Sequence, residues 1–141
     1  MPFTNPSDEQ LRAILSQAST IAIVGASSDP DKASHGIMQR LQSVGYRVIP
    51  VNPREVTVLG ETAYASLSDI PVPVEIVIVF RRAEETPAIA DEAVAIHAGT
   101  LWLQSGIASD EAAARAAAGG LTMVMDACIG ATHSRLGIKR A

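Results

Sequence analysis

A chain of 141 residues, 48% hydrophobic and 18% charged, is long enough and apolar enough to build one good core, and its composition excludes a disordered protein. The formal net charge is −4 with no Lys/Arg-rich block, which argues against a general binder of nucleic acid or of anionic membrane. The single cysteine, Cys128, rules out an internal disulfide and suits a reducing compartment. The polar stretch from Met1 to Arg12 is no secretory leader, and no apolar run approaches the roughly 18 residues of a membrane helix. A cytoplasmic location is therefore expected.

In chain order, Ser7 and Gln10 form a capping-box pattern at the start of a helix. Its apolar residues Leu11, Ile14, Leu15 and Ala18 recur at helical spacing, and it should end near Ser19. The β-branched run Thr20–Gly25 predicts the first strand. It leads through small polar residues into an amphipathic helix expected over Ser34–Val44 and closed by Gly45. The second strand, Tyr46–Val51, stops at Asn52-Pro53, because proline fixes φ and has no amide hydrogen. Periodicity is weakest between Glu55 and Pro73. A turn with a short extended piece at Thr57–Thr62 and one helical turn at Ser66–Ile70 are expected there. Val74–Phe80 is almost continuously apolar, as a strand buried on both faces must be. Thr86-Pro87 reads as N-cap and first helical residue of a helix reaching about Ala98, with Gly99 ending it. Thr100–Leu103 is the fourth strand. Ser109-Asp110-Glu111 opens an alanine-rich helix stopped by Gly119-Gly120, and Leu121–Met125 is the fifth strand. A short helix and then a basic tail are expected over Ile129–Ala141.

Five strands alternating with helices require crossover connections, and these give a parallel sheet. The expected fold class is α/β, a doubly wound three-layer sandwich with a five-stranded, mainly parallel sheet, in one domain spanning residues 1–141. In such a sheet ligands bind beyond the carboxyl ends of the strands, where the strand order reverses. The residues that follow the strands are then the candidate site: Gly25, Ala26, Ser27 and Ser28; Asn52, Pro53 and Arg54; Phe80, Arg81 and Arg82; Gln104, Ser105 and Gly106; Asp126, Ala127 and Cys128.

The strand–Gly25–helix turn, with Ser27, Ser28 and Lys32 beside it, suits a phosphate: backbone N–H groups and the helix dipole face the anion. It is not G-x-G-x-x-G, and no P-loop is present. A dinucleotide site wants an acid at the end of the second strand for the ribose hydroxyls. Asn52 stands there instead, and Arg54 suits a ribose phosphate, as in NADP or coenzyme A. Asn52 also serves as an ordinary turn residue before Pro53. Arg81 and Arg82 suit phosphate, or pair with Glu84 or Glu85. Cys128 is either a small buried apolar side chain or a functional thiol. No His, Cys and Asp spacing builds a metal site, and no catalytic residue is assigned.

Five segments in order, I-A-I-V-G-A-S at 21–27, G-Y-R-V-I-P-V-N-P at 45–53, V-F-R-R at 79–82, L-W-L-Q-S-G at 101–106 and V-M-D-A-C at 124–128, resemble the small stand-alone proteins of the Rossmann-type CoA-binding family. That family is related to the nucleotide-binding domain of the succinyl-CoA synthetase α-subunit. The resemblance spans about Thr20 to Leu136 and implies a Rossmann-like fold with a coenzyme A site on the carboxyl edge. Carried over, it puts Gly25, Ala26, Ser27 and Ser28 in a phosphate loop, with Lys32 and Ser34 where the family has Arg-Pro-Ser. Asn52 and Pro53 would edge the adenosine, and Phe80, Arg81 and Arg82 would lie near phosphates. Ser105, Gly106 and Asp126 would flank the chain of the ligand, with Cys128 near the pantetheine end. Lys32-Ala33 replaces Arg-Pro, and Ala127 replaces the Arg of Asp-Arg-Cys, so two basic or stiffening elements are missing.

The synthetase's second domain is absent from this sequence, so ligase activity is not expected. The implied function is a non-catalytic carrier, sensor or regulatory module for CoA or an acyl-CoA. Neither nucleic acid nor membrane is an expected partner, and either a monomer or a homodimer is compatible. The alternatives are a small NAD(P)-dependent oxidoreductase, or a thiol-redox protein forming a Cys128–CoA mixed disulfide.

Overall fold

The structure is a computed structural model and describes residues 3–138. Helix α1 (Asp8–Gln17) opens with the capping box expected of Ser7 and Gln10: the Ser7 hydroxyl accepts from the Gln10 N–H, and the Gln10 side chain accepts from the Ser7 N–H. It leads into strand β1 (Thr20–Val24), helix α2 (Ala33–Ser43) and strand β2 (Arg47–Val51). Short strands β3 (Thr57–Val58) and β4 (Glu61–Thr62) form an antiparallel hairpin turned by Leu59 and Gly60, both at positive φ. A 3₁₀ turn (Leu67–Asp69) precedes β5 (Ile76–Val79). Helix α3 (Thr86–Ala95), strand β6 (Thr100–Leu103), helix α4 (Asp110–Ala118), strand β7 (Thr122–Val124) and helix α5 (Ile129–Leu136) complete the order.

The main sheet runs β2-β1-β5-β6-β7 with every neighbouring pair parallel. The chain first goes outward from β1 to β2 and then crosses back to β5, so the strand order reverses between β1 and β5. Alternation along each strand divides the core in two. Ile21, Ile23, Ile76, Ile78, Trp102 and Val124 face α1, α2 and α5, meeting Leu15, Met38, Leu41 and Ile129. Ala22, Val77, Val79, Leu101, Leu103 and Met123 face α3 and α4, meeting Ile89, Ala90, Ala93, Ala112 and Ala116. The alanines on α3 and α4 let these two helices lie close together against the sheet. Trp102 is wholly buried, and its indole N–H donates to the Ala127 carbonyl at 2.9 Å. Truncating a residue of this size to alanine costs about 3–5 kcal/mol. Among the described residues no helix is long and apolar enough to cross a membrane.

Three expectations are corrected. Thr86 does not cap α3 from outside but is its first residue. A 3₁₀ turn (Ala83–Glu85) precedes it, and the Thr86 hydroxyl donates to the Ala83 carbonyl at 2.7 Å. Helix α3 ends at Ala95 rather than near Ala98, and His97, at φ 60°, takes the left-handed position assigned to a glycine. Gly99 is therefore no helix stop. Its N–H donates to the Glu75 carbonyl at 2.9 Å, and a Cβ there would sit 3.2 Å from that oxygen. The stops at Gly45 and Gly119-Gly120 are as expected, with Gly45 and Gly120 at positive φ. The last helix closes at Gly137, and the expected basic tail, Lys139 and Arg140, lies outside the described residues.

Candidate functional site

The site begins where β1 ends. The Gly25 N–H donates to the Val51 carbonyl at 2.9 Å, and the Phe80 N–H donates to the Val24 carbonyl at 2.8 Å. The exit of β1 is thus held between the ends of β2 and β5. Gly25 has φ +90°, and a Cβ there would lie 2.5 Å from the Phe80 carbonyl oxygen. Only glycine fits both the torsion and the approach. The loop that follows turns on its own side chains: the Ser27 hydroxyl accepts from the Asp29 N–H at 3.0 Å, and the Asp29 carboxylate accepts from the Asp31 N–H at 2.9 Å.

Helix α2 then starts with Lys32 at the N-cap, where no side chain caps the first turn. That uncapped turn, Lys32 to Ser34, lines a cleft of about 620 Å³ together with Gly25, Ser27, Asn52, Pro53, Arg54, Phe80 and Arg81. Ser34 is only 4% exposed and its hydroxyl has no hydrogen-bond partner among the described residues. The cleft therefore offers helix N–H groups, the unbonded hydroxyl of Ser34, and cations. This donor set suits a phosphate oxygen.

The charges are unevenly committed. Arg81 Nη2 lies 2.7 Å from Glu85 Oε1, and Arg82 Nε lies 3.8 Å from Glu85 Oε2. The Arg81 hydrogen bond holds the Glu85 carboxyl below its usual range. Lys32 and Arg54 have no carboxylate partner among the described residues. Glu55 is engaged by Ser28: its carboxylate accepts from the Ser28 N–H at 2.7 Å and lies 2.9 and 3.0 Å from the Ser28 hydroxyl. Asn52 ties the two loops together. Its amide donates to the Ala26 carbonyl at 2.8 Å and accepts from the Arg54 N–H at 2.9 Å.

Two further cavities adjoin the cleft. One, of about 340 Å³ on the α3 side, shares Gly25, Asn52, Pro53 and Arg81 with it and adds apolar Val24, Val51, Ala88 and Ile89. The other, of about 380 Å³ on the α2 side, shares Ala33 and Phe80 and adds Gly36, Ile37, Gln104, Ser105, Ile107 and Cys128. Gln104 is buried beneath it. Its side-chain oxygen accepts from the Ile129 N–H at 2.9 Å, and its amide nitrogen lies 3.9 Å from Cys128 Sγ.

Of the residues expected at the site, Gly25, Ser27, Lys32, Ser34, Asn52, Pro53, Arg54, Phe80 and Arg81 meet in the cleft. Gln104, Ser105 and Cys128 meet in the α2-side cavity. The others lie outside these linings. Ala26 is buried behind Asn52, and Ser28 is held by Glu55. The Arg82 side chain is 84% exposed. Gly106 and Asp126 bond each other, the N–H donating to the carboxylate at 2.7 Å. The sequence reading missed Ala33, Gly36 and Ile37, although their i, i+3, i+4 spacing marks one face of α2. Among the described residues no three His, Cys, Asp or Glu side chains gather as a cation would require.

Comparison with known proteins agrees with this geometry. YneT, an uncharacterized protein of Bacillus subtilis, is 40% identical over 130 residues, covering 92% of this chain and 96% of its own. The α-subunit of the ADP-forming acetate–CoA ligase II of Pyrococcus furiosus is 42% identical over 60 residues, which are 42% of this chain but only 13% of that subunit. Among solved structures, a hypothetical protein of Pyrococcus horikoshii superposes with a TM-score of 0.90 at 36% identity, over 96% of this chain and 99% of the other. A Thermus thermophilus protein superposes with a TM-score of 0.89 at 42% identity, over 93% and 99%. An acetyl-coenzyme A synthetase of Ca. Korarchaeum cryptofilum matches 77% of this chain with 26% of its own, at a TM-score of 0.68 and 25% identity. Residues 19–134 match the CoA binding domain, and the chain belongs to that family.

Proposed function

We propose that the chain binds coenzyme A, free or acylated, along the carboxyl edge of the sheet, as a carrier, sensor or regulatory module without catalysis of its own. The observation that carries this reading is the sequence of three adjoining spaces: apolar beside α3, cationic at the uncapped start of α2, and apolar again beside Cys128. Coenzyme A has the same order of chemistry, with an adenine, a run of phosphates and a thin pantetheine arm. In this reading adenine lies against Val51, Pro53 and Ile89. The pyrophosphate meets the Ser34 hydroxyl, Lys32 and the α2 N–H groups. The pantetheine arm passes Phe80 toward Ile37 and Cys128.

The test is a thermal titration. Coenzyme A at 100 times its dissociation constant adds about 2.7 kcal/mol of stability. A melting curve that saturating CoA leaves in place while NADP moves it would overturn the reading in favour of a small NAD(P)-dependent oxidoreductase. A second reading rests on Cys128 lining the far cavity while still partly exposed. Its thiolate would attack the disulfide of oxidised CoA, forming the Cys128–CoA bond and releasing the other CoA as a thiol. Mass spectrometry under denaturing conditions should then find one CoA added to wild type and none to Cys128→Ser; no adduct on wild type sinks this second reading.

A further inference from the structure

We propose that Asn5 is a positioning residue of the ligand site: its side-chain amide clamps the backbone of Met125 and so fixes the turn that brings Cys128 to the α2-side cavity. The inference rests on the reading of that cavity as the pantetheine end of a CoA site. It ties the site to a residue that lies ahead of the segment, 19–134, matching the family.

The contact joins residues 120 positions apart. Asn5 Nδ2 donates to the Met125 carbonyl, and the Met125 N–H donates to Asn5 Oδ1, each at 2.9 Å. At this one residue a side-chain amide supplies the donor and the acceptor that a neighbouring strand would supply. Met125 follows the edge strand β7 and is only 8% exposed. Without Asn5, both polar groups of its backbone would need another partner. The local sequence aims the amide. Phe3 packs against the core on the α3 side, Pro6 restricts the backbone of Asn5, and Ser7 opens the capping box of α1.

The turn beyond Met125 needs such support. Asp126 sits at φ 54°, a left-handed conformation that an aspartate tolerates at a cost and that persists only when its surroundings fix it. Its N–H donates to the Ile107 carbonyl at 3.0 Å, and its carboxylate accepts from the Gly106 N–H at 2.7 Å. The Ala127 carbonyl accepts from the Trp102 indole, and the Ile129 N–H donates to Gln104 Oε1, each at 2.9 Å. These contacts come from the end of β6 and the loop after it. Asn5 adds a hold from a different part of the chain, one residue ahead of the left-handed position. Cys128 lies between these anchors and lines the cavity. Losing the hold on Met125 lets Asp126 relax, and Cys128 moves with it.

The experiment makes two measurements on wild type, Asn5→Ala, Asn5→Asp and Glu75→Ala. One is the rate at which iodoacetamide alkylates Cys128, the single cysteine, in the folded protein. The other is CoA affinity by calorimetric titration. Glu75→Ala is the control: it too removes a side chain bonded to two backbone groups, the Ser19 and Thr20 N–H, but at the amino edge of the sheet. Asn5→Ala should speed alkylation and weaken CoA binding, each roughly 3- to 10-fold, the range of a net hydrogen bond. Asn5→Asp keeps an acceptor for the Met125 N–H and should fall between Asn5→Ala and wild type. Glu75→Ala should lose stability yet match wild type in both measurements. The proposal is overturned if Asn5→Ala is alkylated at the wild-type rate, if Glu75→Ala speeds alkylation as much, or if the Asn5 variants bind CoA as wild type does. Should Asn5→Ala not fold, Asn5→Asp decides by the same comparison. If wild type binds no CoA, the CoA reading fails, and alkylation, which uses no CoA, still decides whether Asn5 holds the turn.

Discussion

Gly25→Ala tests whether the exit of β1 is built as described. At φ +90° a side chain is in the left-handed half of the map, which costs about 1–2 kcal/mol. The new Cβ would also stand 2.5 Å from the Phe80 carbonyl oxygen. That oxygen is backbone, and the same peptide segment donates the Phe80 N–H to Val24 at 2.8 Å. Relieving the contact requires β1 and β5 to part at their ends, weakening a bond of net value about 1 kcal/mol. The sum is a loss of about 2–3 kcal/mol. Unfolding entropy of about 2.1 cal/mol/K per residue over 141 residues gives roughly 0.3 kcal/mol/K, so the melting temperature should fall by about 7–10 °C. Gly106→Ala is the control. Its φ is +82°, but nothing lies within 4 Å of a Cβ there, so it should lose only the torsional part, about 3–7 °C and less than Gly25→Ala. Differential scanning calorimetry of the two variants decides the matter. Equal falls would refute the steric account of the β1 exit.

Two further substitutions have distinct signs. Gly36 lies within α2, and nothing comes within 4 Å of the position a Cβ would take there; Gly36→Ala should therefore raise stability by about 1 kcal/mol, and calorimetry showing a loss would contradict the open cavity. Gly36→Leu should fill the α2-side cavity and weaken CoA binding while the fold persists, as titration and circular dichroism would show. His133 is buried in α5, packed edge-on to the Tyr46 ring with centroids 5.8 Å apart, and its Nε2 has no partner among the described residues. Burial and then the Arg40 charge hold its pKa below the ordinary value of 6.5. The unfolded chain thus binds the proton more readily, so this contribution is complete above pH 6.5 and is lost as pH falls below it. Denaturant titrations from pH 8 to pH 5 should show a shallower acid-side decline for His133→Leu than for wild type; parallel curves would remove His133 from the account.

The fold was legible because its signals are local. Capping at Ser7 and Gln10, five β-rich runs, and the glycines after α2 and α4 each act over a few residues. The errors came where a local signal had a distant cause. Gly99 looked like a helix stop, but its lack of a side chain serves the approach to Glu75 across the sheet, and His97 makes the turn instead. Thr86 looked like a cap because Pro87 follows it, whereas the 3₁₀ turn at Ala83–Glu85 moves the helix start to Thr86 itself.

At the site the same distinction governs charge. Sequence puts Lys32, Arg54, Glu55, Arg81, Arg82 and Glu85 at the carboxyl edge without saying which of them remain available. Neighbouring residues at a strand end diverge, so Arg81 lines the cleft while the Arg82 side chain is 84% exposed. No spacing rule joins Ser28 to Glu55 across 27 positions, yet that contact turns the acid toward Ser28 and leaves Arg54 without a carboxylate partner among the described residues. A phosphate site is defined less by the cations a chain carries than by the carboxylates its fold has already occupied. Ser28→Ala removes the hydroxyl contacts to Glu55 and keeps the N–H bond, so it should loosen the carboxylate and lower CoA affinity modestly, read by calorimetric titration, although no cation is lost, because a carboxylate free to turn toward Arg54 competes with the phosphate for the guanidinium.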